Sequence, residues 1–188
     1  LEILKPYLED KSIKKIGQNI KFDYIILYLR GVDMNCMEDT MLMSYVLDAG
    51  KNRHNMDILS EIHLDHKTIQ FKDLVGVGKK QINFSEVTLD IAKDYAAEDA
   101  DVTYRLYKIF LKSLRVESLI NIYEIFEKPL IKILALMEMN GIKLDESFLE
   151  KLSIKFGDKI NQIEKKIYKI SKRVFNIGST KQLGEIMY

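Results

Sequence analysis

From Thr88 to Leu114 the sequence keeps one helical rhythm. Ile91, Tyr95, Val102, Leu106, Phe110 and Leu114 recur at intervals of about three and four residues, the spacing of a single helix face. Thr88 suits the N-cap and Asp90 the first turn of such a helix. An apolar stripe this long has to be covered, so much of the remaining chain must pack against it. One stretch breaks the pattern: Tyr95-Ala96-Ala97-Glu98-Asp99-Ala100-Asp101. On a helix, Tyr95 and Asp99 stack a phenol above a carboxylate. The small Ala96, Ala97 and Ala100 leave room for a close approach. By itself the stretch reads as a solvated acidic face with a half-buried tyrosine, yet such a local inconsistency often marks a functional site. Glu98 and Asp101 point away from Asp99 by about 100° and 200° and read as surface charges.

The segments before this helix alternate in character. Leu1, Leu4 and Leu8 have helical spacing, with Pro6 in an early turn. Short strands are expected at Ile13–Gly17 and Val32–Cys36. Helices are expected from Ile20 to Arg30, ended by Gly31, from the Asp39-Thr40 cap to Leu47, and from Met56 to Leu64. Thr68 to Phe84 reads as an extended mobile loop. After Glu117 only helices are expected. One runs from Ile120 to Asn140, is interrupted near Pro129 and ends at Gly141. Ile142-Lys143-Leu144 reads as extended. A lysine-rich helix capped by Asp145 runs to about Arg173, and a last one is capped by Ser179. Sparse strands early and helices late put a domain boundary near 117–125, giving domains of 1–117 and 118–188. The formal net charge of +1 gives no global signal for nucleic acid or membrane, and no apolar run approaches a membrane span. Cys36 is alone, which excludes a disulfide framework. The chain opens Leu1-Glu2-Ile3 and closes within a helix just begun, so a fragment of a longer protein is expected.

A second candidate is Gly17-Gln18-Asn19-Ile20-Lys21-Phe22-Asp23, at a strand-to-helix turn. Asn19 is placed to cap the helix, and Asp23 falls one turn later on the same face. Two aspartates and a tyrosine suit phosphodiester hydrolysis by divalent cations, and hard oxygen ligands favour Mg²⁺ or Mn²⁺. Two carboxylates are few for two ions, and no further pair stands out. Weaker signals are read as structural or solvated. His63 and His66 lack further ligands for zinc. Gly76-Val77-Gly78-Lys79-Lys80 lacks the phosphate-loop pattern. Cys36 has no base nearby, and the Lys165-Lys166 and Lys169–Arg173 cluster reads as a solvated face.

Gly17–Asp23 resembles the second exonuclease motif of family A bacterial DNA polymerases, and Tyr95–Thr103 resembles their third. Asp39-Thr40-Met41-Leu42, Arg53-His54-Asn55-Met56-Asp57 and His66–Phe71 fit the same family in the same order. Asn140–Asp145 and Phe175–Leu183 are similar to the entry to its polymerase domain, up to the thumb base. The resemblance implies a ribonuclease H-like α/β exonuclease domain, lacking its first strands, followed by the all-α start of the thumb. It implies 3′-to-5′ removal of a mispaired DNA end, with Asp99 a direct metal ligand, Asp23 holding the second of two Mg²⁺ or Mn²⁺ ions, and Tyr95 orienting the attacking water. Gln18, Asn19 and Arg53 match positions that contact the single-stranded 3′ end, and Phe71 matches an aromatic that packs on a terminal base. The parent protein is expected in the bacterial cytoplasm with the nucleoid, in replication and repair. The family's first motif, Asp-x-Glu, is absent from this sequence and is expected upstream of Leu1, so the chain alone is expected to be inactive. A sheet without its first strands would also expose an edge to pairing between copies. The alternatives are a ribonuclease D-like exonuclease acting on RNA, and a non-catalytic DNA-binding scaffold with a decayed site.

Overall fold

A computed structural model describes residues 1–78 and 81–187. The expected Gly76–Lys80 loop thus lies partly outside the described residues, at Lys79 and Lys80. The chain divides into two compact units, Leu1–Gly141 and Ile142–Tyr188. This spatial division falls later than the boundary expected near 117, because the helices after 117 pack on the first unit.

That unit is organised around a strand–helix–strand turn. Strand β1 (Lys15–Gly17) leads into helix α2 (Ile20–Tyr28), which returns to β2 (Met37–Asp39). Helix α1 (Lys5–Glu9) precedes them with Pro6 in its first turn, where a missing N–H leaves no bond unmade. The two strands are parallel, with Lys15 opposite Met37, Ile16 opposite Glu38 and Gly17 opposite Asp39. The turn after β1 is tight. A Cβ on Gly17 would lie 2.9 Å from the Ile20 side chain, which is itself buried, so only glycine fits.

Asn19 does not cap α2 as expected. It adopts the left-handed conformation (φ 59°), and its side chain makes no capping bond. The cap arrives from across the sheet. The Asp39 carboxylate accepts the N–H groups of Asn19 (3.0 Å), Ile20 (2.9 Å) and Met41 (2.9 Å). One buried carboxylate therefore starts both α2 and the next helix, α3 (Thr40–Asp48). The neighbouring Glu38 is also buried. It pairs with Lys128 Nζ at 2.8 Å and accepts from the Tyr123 hydroxyl at 3.1 Å, while that hydroxyl accepts the Asp39 N–H at 2.9 Å.

The strand expected at Val32–Cys36 forms one step later, at 37–39. Asn35 N–H bonds the Leu8 carbonyl at 3.0 Å, Asp33 N–H bonds Glu9, and Cys36 takes a left-handed φ of 54°. These ties to α1 hold the segment out of the sheet until Met37. Helix α4 (Met56–Leu64) falls where expected. The segment Thr68–Phe84 is not simply an extended loop. It contains α5 (Phe71–Val75) with buried Val75, and Phe84–Glu86 forms a 3₁₀ turn.

Helix α6 (Leu89–Val116) is the long amphipathic helix. Its buried face starts later than expected. Val102, Leu106, Tyr107, Phe110 and Leu114 join Met43, Leu59 and Tyr123 in the main core, whereas Leu89 and Ile91 are exposed. A second cluster of Ile20, Tyr24, Met34, Met37, Ile131 and Ala135 packs α2 against α8 (Lys128–Asn140). The expected interruption near Pro129 is a π-helical turn, Tyr123–Glu127, between the short α7 (Ile120–Ile122) and α8. Pro129 cannot donate to the preceding turn, and the widened turn ends where α8 begins.

The second unit is helical, and none of its described residues is fully buried. Helix α9 (Glu146–Ser171) begins at Asp145, whose carboxylate accepts Phe148 N–H at 3.0 Å. Tyr168 donates to the Phe175 carbonyl at 3.1 Å and meets that ring edge-on, folding the chain back toward α10 (Thr180–Met187). Ile142–Leu144 joins no helix or strand. Among the described residues no helix is long and apolar enough to cross a membrane.

Removing the Asp39 carboxylate leaves three buried or half-buried N–H groups without an acceptor. Asp39→Ala is expected to lower stability by about 2–4 kcal/mol, read as a shift of the urea midpoint. A loss under about 0.5 kcal/mol would mean that the two helix starts do not depend on it.

Candidate active site

Two helices bring aspartates to one cleft. Gly17, Gln18 and Asp23 line it from the β1–α2 side, and Met56, Asp99 and Thr103 from α4 and α6. The cleft has a volume of about 310 Å³, and the small Ala100 forms part of its wall. Asp23 lies in the first turn of α2, so the helix start favours its negative charge. Its outer side stays in water, yet partial burial pushes its pKa above the ordinary carboxylate value. Burial likewise raises Asp99. The Tyr95 hydroxyl pulls it back down in part, and the charges of Glu98 and Asp57 add to the rise. Oδ1 of Asp99 is buried and, among the described residues, has no hydrogen-bond partner. A buried carboxylate oxygen left in this state is costly, and a cation or a donor from a ligand would satisfy it. The Tyr95 hydroxyl is pushed up to about 12 by burial and by the Asp99 charge, so it remains a donor at neutral pH.

The remaining sequence candidates sit at different distances from this cleft. Gln18 lines it, but both ends of its amide are engaged. Nε2 donates to the His54 carbonyl at 2.7 Å, and Oε1 accepts from Thr40 Oγ1 at 2.5 Å. Arg53 is exposed in the loop before α4, next to the carbonyl that Gln18 holds. Asn19 is not brought to the cleft. Its left-handed backbone takes it out of helical phase, and it lines a separate hollow with Lys21, Leu130, Ile131 and Leu134. The shared face expected for Asn19 and Asp23 is thus absent. Phe71 opens α5 and lies against Tyr95, with ring centroids 6.2 Å apart.

Three residues gain a place that sequence spacing did not give them. Glu98 is more than a surface charge. Its carboxylate accepts Ile69 N–H at 2.6 Å and meets His66 Nε2 at 2.8 Å, fixing the segment that leads to Phe71. Asp57 accepts Thr68 Oγ1 at 2.6 Å and adds negative charge near Asp99 and Tyr95. Thr103, one turn beyond Asp99, completes the cleft wall and donates to the Met56 sulfur at 3.4 Å. His63 packs edge-on against Phe110, as a structural residue does. Asp101 meets Arg105 at the surface. Among the described residues, no group of three or more His, Cys, Asp or Glu side chains could hold a metal ion. Asp23 and Asp99 provide hard donors for a divalent cation, but not a full coordination shell.

Raised carboxyl pKa values fix a sign for stability. The ionised Asp99 costs folding free energy, and that cost is absent below the ordinary carboxylate range and complete above the raised value. In metal-free buffer, Asp99→Asn is expected to raise the thermal midpoint at neutral pH. The gain should fade as pH falls through the raised value and be gone below about 4. An equal gain at both pH values would refute the account of Asp99.

Comparison with known proteins covers the whole chain. The family model described as 3′-5′ exonuclease, of the DNA polymerase A type, matches residues 1–115. DNA polymerase I of Rhizobium leguminosarum is 45% identical, across 98% of this chain and 18% of the relative. DNA polymerase I of Pseudomonas aeruginosa is 42% identical, across 100% of this chain and 21% of the relative. The chain thus spans about a fifth of the length of the curated relatives it matches. The solved POL domain of Pol1 from M. smegmatis, in complex with DNA primer-template and dNTP, superposes with a TM-score of 0.78 at 22% identity. That superposition covers 100% of this chain and 30% of that one, and it supports the ribonuclease H-like exonuclease fold followed by helices. With a match over more than half its length, the chain belongs to the 3′-5′ exonuclease family of the DNA polymerase A type.

Proposed function

We propose that this chain is part of a bacterial DNA polymerase I, in which residues 1–117 form the 3′-5′ proofreading exonuclease and residues 118–188 begin the polymerase domain. The observation that carries the reading is the pair Asp23 and Asp99, set on separate helices but facing one cleft, with Asp99 Oδ1 buried and unpartnered. The name shared by the relatives over both parts of the chain supports it and disfavours an RNA exonuclease. The parent acts in the cytoplasm, at the nucleoid, in replication and repair.

In this reading the substrate is a single-stranded DNA 3′ end. Asp99 would hold a Mg²⁺ or Mn²⁺ ion, and Asp23 would help to hold a second. A bound divalent cation would supply Lewis acidity and a water of lowered pKa. Tyr95 keeps its proton and donates to orient the attacking water. Arg53, exposed beside the His54 carbonyl that Gln18 holds, meets a phosphate. Gln18 serves by bracing the cleft, since its amide is already engaged. Asn19 approaches the DNA from outside the metal cleft. Phe71 offers a face to the terminal base. The net charge of +1 leaves this local grip to hold the strand.

Mn²⁺ titration followed by water-proton relaxation tests the reading. Wild-type chain is expected to bind Mn²⁺ weakly, and Asp99→Ala to weaken that binding at least about tenfold. Protonation competes with the metal, so binding should be lost on acidification at a pH above the ordinary carboxylate range. Unchanged binding by Asp99→Ala would falsify the metal assignment. With no Asp-x-Glu in its sequence, the isolated chain should release mononucleotides from single-stranded DNA only at background rate. Robust Mn²⁺-dependent release would overturn that expectation. Light scattering of the chain should show pairing between copies through the free sheet edge, and a monomer at every concentration would count against it.

A further inference from the structure

Phe84 belongs to none of the motifs above, yet it stands beside Tyr95. Its ring stacks on Phe71 with centroids 5.8 Å apart and planes 25° from parallel. It meets Tyr95 at 6.2 Å and 61°, and Phe71 meets the same phenol at 6.2 Å and 57°. Three rings from the start of α5, the 3₁₀ turn and α6 therefore close a triangle. Each pair falls in the range of about 4.5–7 Å, where offset and edge-on aromatic contacts are favourable.

Two of the three rings are open to solvent. Phe71 is 47% exposed and Phe84 41% exposed. The backbone holds them there firmly. Asn83 and Glu86 form a capping box around the turn, with Asn83 N–H donating to Glu86 Oε2 at 2.7 Å. Ile82 N–H bonds the Val75 carbonyl at 2.9 Å and ties the turn to α5. On the other side, Glu98 fixes the approach to Phe71 through Ile69 N–H and His66. A large ring pair fixed in water against the tyrosine that reaches Asp99 has the character of a prepared contact surface. The stack is too close to admit a base between the rings. A base would lie on the outer face of one ring, with the other behind it.

We propose that Phe84 is a positioning residue for the 3′-end site. It backs Phe71 and abuts Tyr95, so the ring that receives the terminal base and the phenol next to Asp99 are held as one platform. The proposal rests on the reading of the cleft as a 3′-end site. It adds a residue and a reason why base stacking and water positioning are coupled. Loss of Phe84 would let Phe71 turn away from the base and Tyr95 drift from Asp99.

The test uses the whole chain and a single-stranded oligodeoxynucleotide carrying 2-aminopurine at its 3′ terminus. Binding is followed by fluorescence quenching. Phe84→Ala and Phe71→Ala are each expected to weaken end binding about tenfold, with the thermal midpoint of each variant measured alongside. Phe84→Tyr should restore binding. Phe84→Leu, which keeps apolar bulk without a ring, should not. Wild-type binding by Phe84→Ala, or by Phe84→Leu, would overturn the proposal. A second measurement needs no DNA. Ring-proton resonances of Phe71 and Tyr95 should both move in Phe84→Ala relative to wild type, and unmoved resonances would overturn the positioning role. If wild-type chain fails to quench the terminal base, the 3′-end reading fails, and the ring resonances still decide whether Phe84 positions its neighbours.

Discussion

The buried carboxylate of Asp39 is the contact on which this arrangement turns. Taking a charge out of water is expensive, and burial does push its pKa upward. Backbone N–H groups from two helix starts offset that expense. The geometry follows from this exchange. Asn19 takes a left-handed conformation so that its N–H and the next can both point at Asp39. Helix α2 then leaves the sheet at the angle that carries Asp23 to the cleft. Beneath it, Tyr123 and Glu38 link the same point to Lys128 at the head of α8. The candidate site is therefore braced from behind by a polar network that never reaches its open face.

Helix α6 does two jobs along one length. Its C-terminal half is core, with Val102, Leu106, Phe110 and Leu114 at four-residue steps. Its N-terminal half carries Tyr95, Glu98 and Asp99 into partly open surroundings. The buried half anchors a rigid rod, and the site residues project from its less buried part. Such support suits chemistry that demands fixed geometry, because a helix transmits position better than a loop does.

Local rules made much of this visible in the sequence. Helix α4 and the start of α3 were legible because caps and periodicity act over a few residues. The placing of Tyr95 and Asp99 one turn apart on a single helix was legible because short spacings survive folding. What stayed hidden was contact across sequence distance. Asn19 reads as a cap because side-chain capping is the local default, and nothing nearby reveals that Asp39 will supply the acceptor. Glu98 reads as surface from its angle to Asp99, since the spacing is silent about the segment that folds onto it. Phe84 carries no periodic signal at all, and its value lies in two rings brought to it by other elements. The late start of the buried face of α6 was hidden for the same reason, as Ile91 fits the stripe but stays exposed.

The π-helical turn at Tyr123–Glu127 has a consequence for how this region can vary. It shifts the phase between the residue that enters the main core, Tyr123, and those that enter the second cluster, Ile131 and Ala135. A π-turn takes up one residue more than the α-turn it replaces. Deleting one residue there would restore an ordinary α-helix with both ends still in phase, whereas straightening the turn at unchanged length would swing one side by about 100° relative to the other. Either the Tyr123 hydroxyl would then leave Glu38, or Ile131 would leave α2. The stretch carries exposed Ile125 and Phe126 and resembles a tolerant surface helix, yet at its present length it has to stay wide, and losing a residue is a smaller change for it than losing the widened turn.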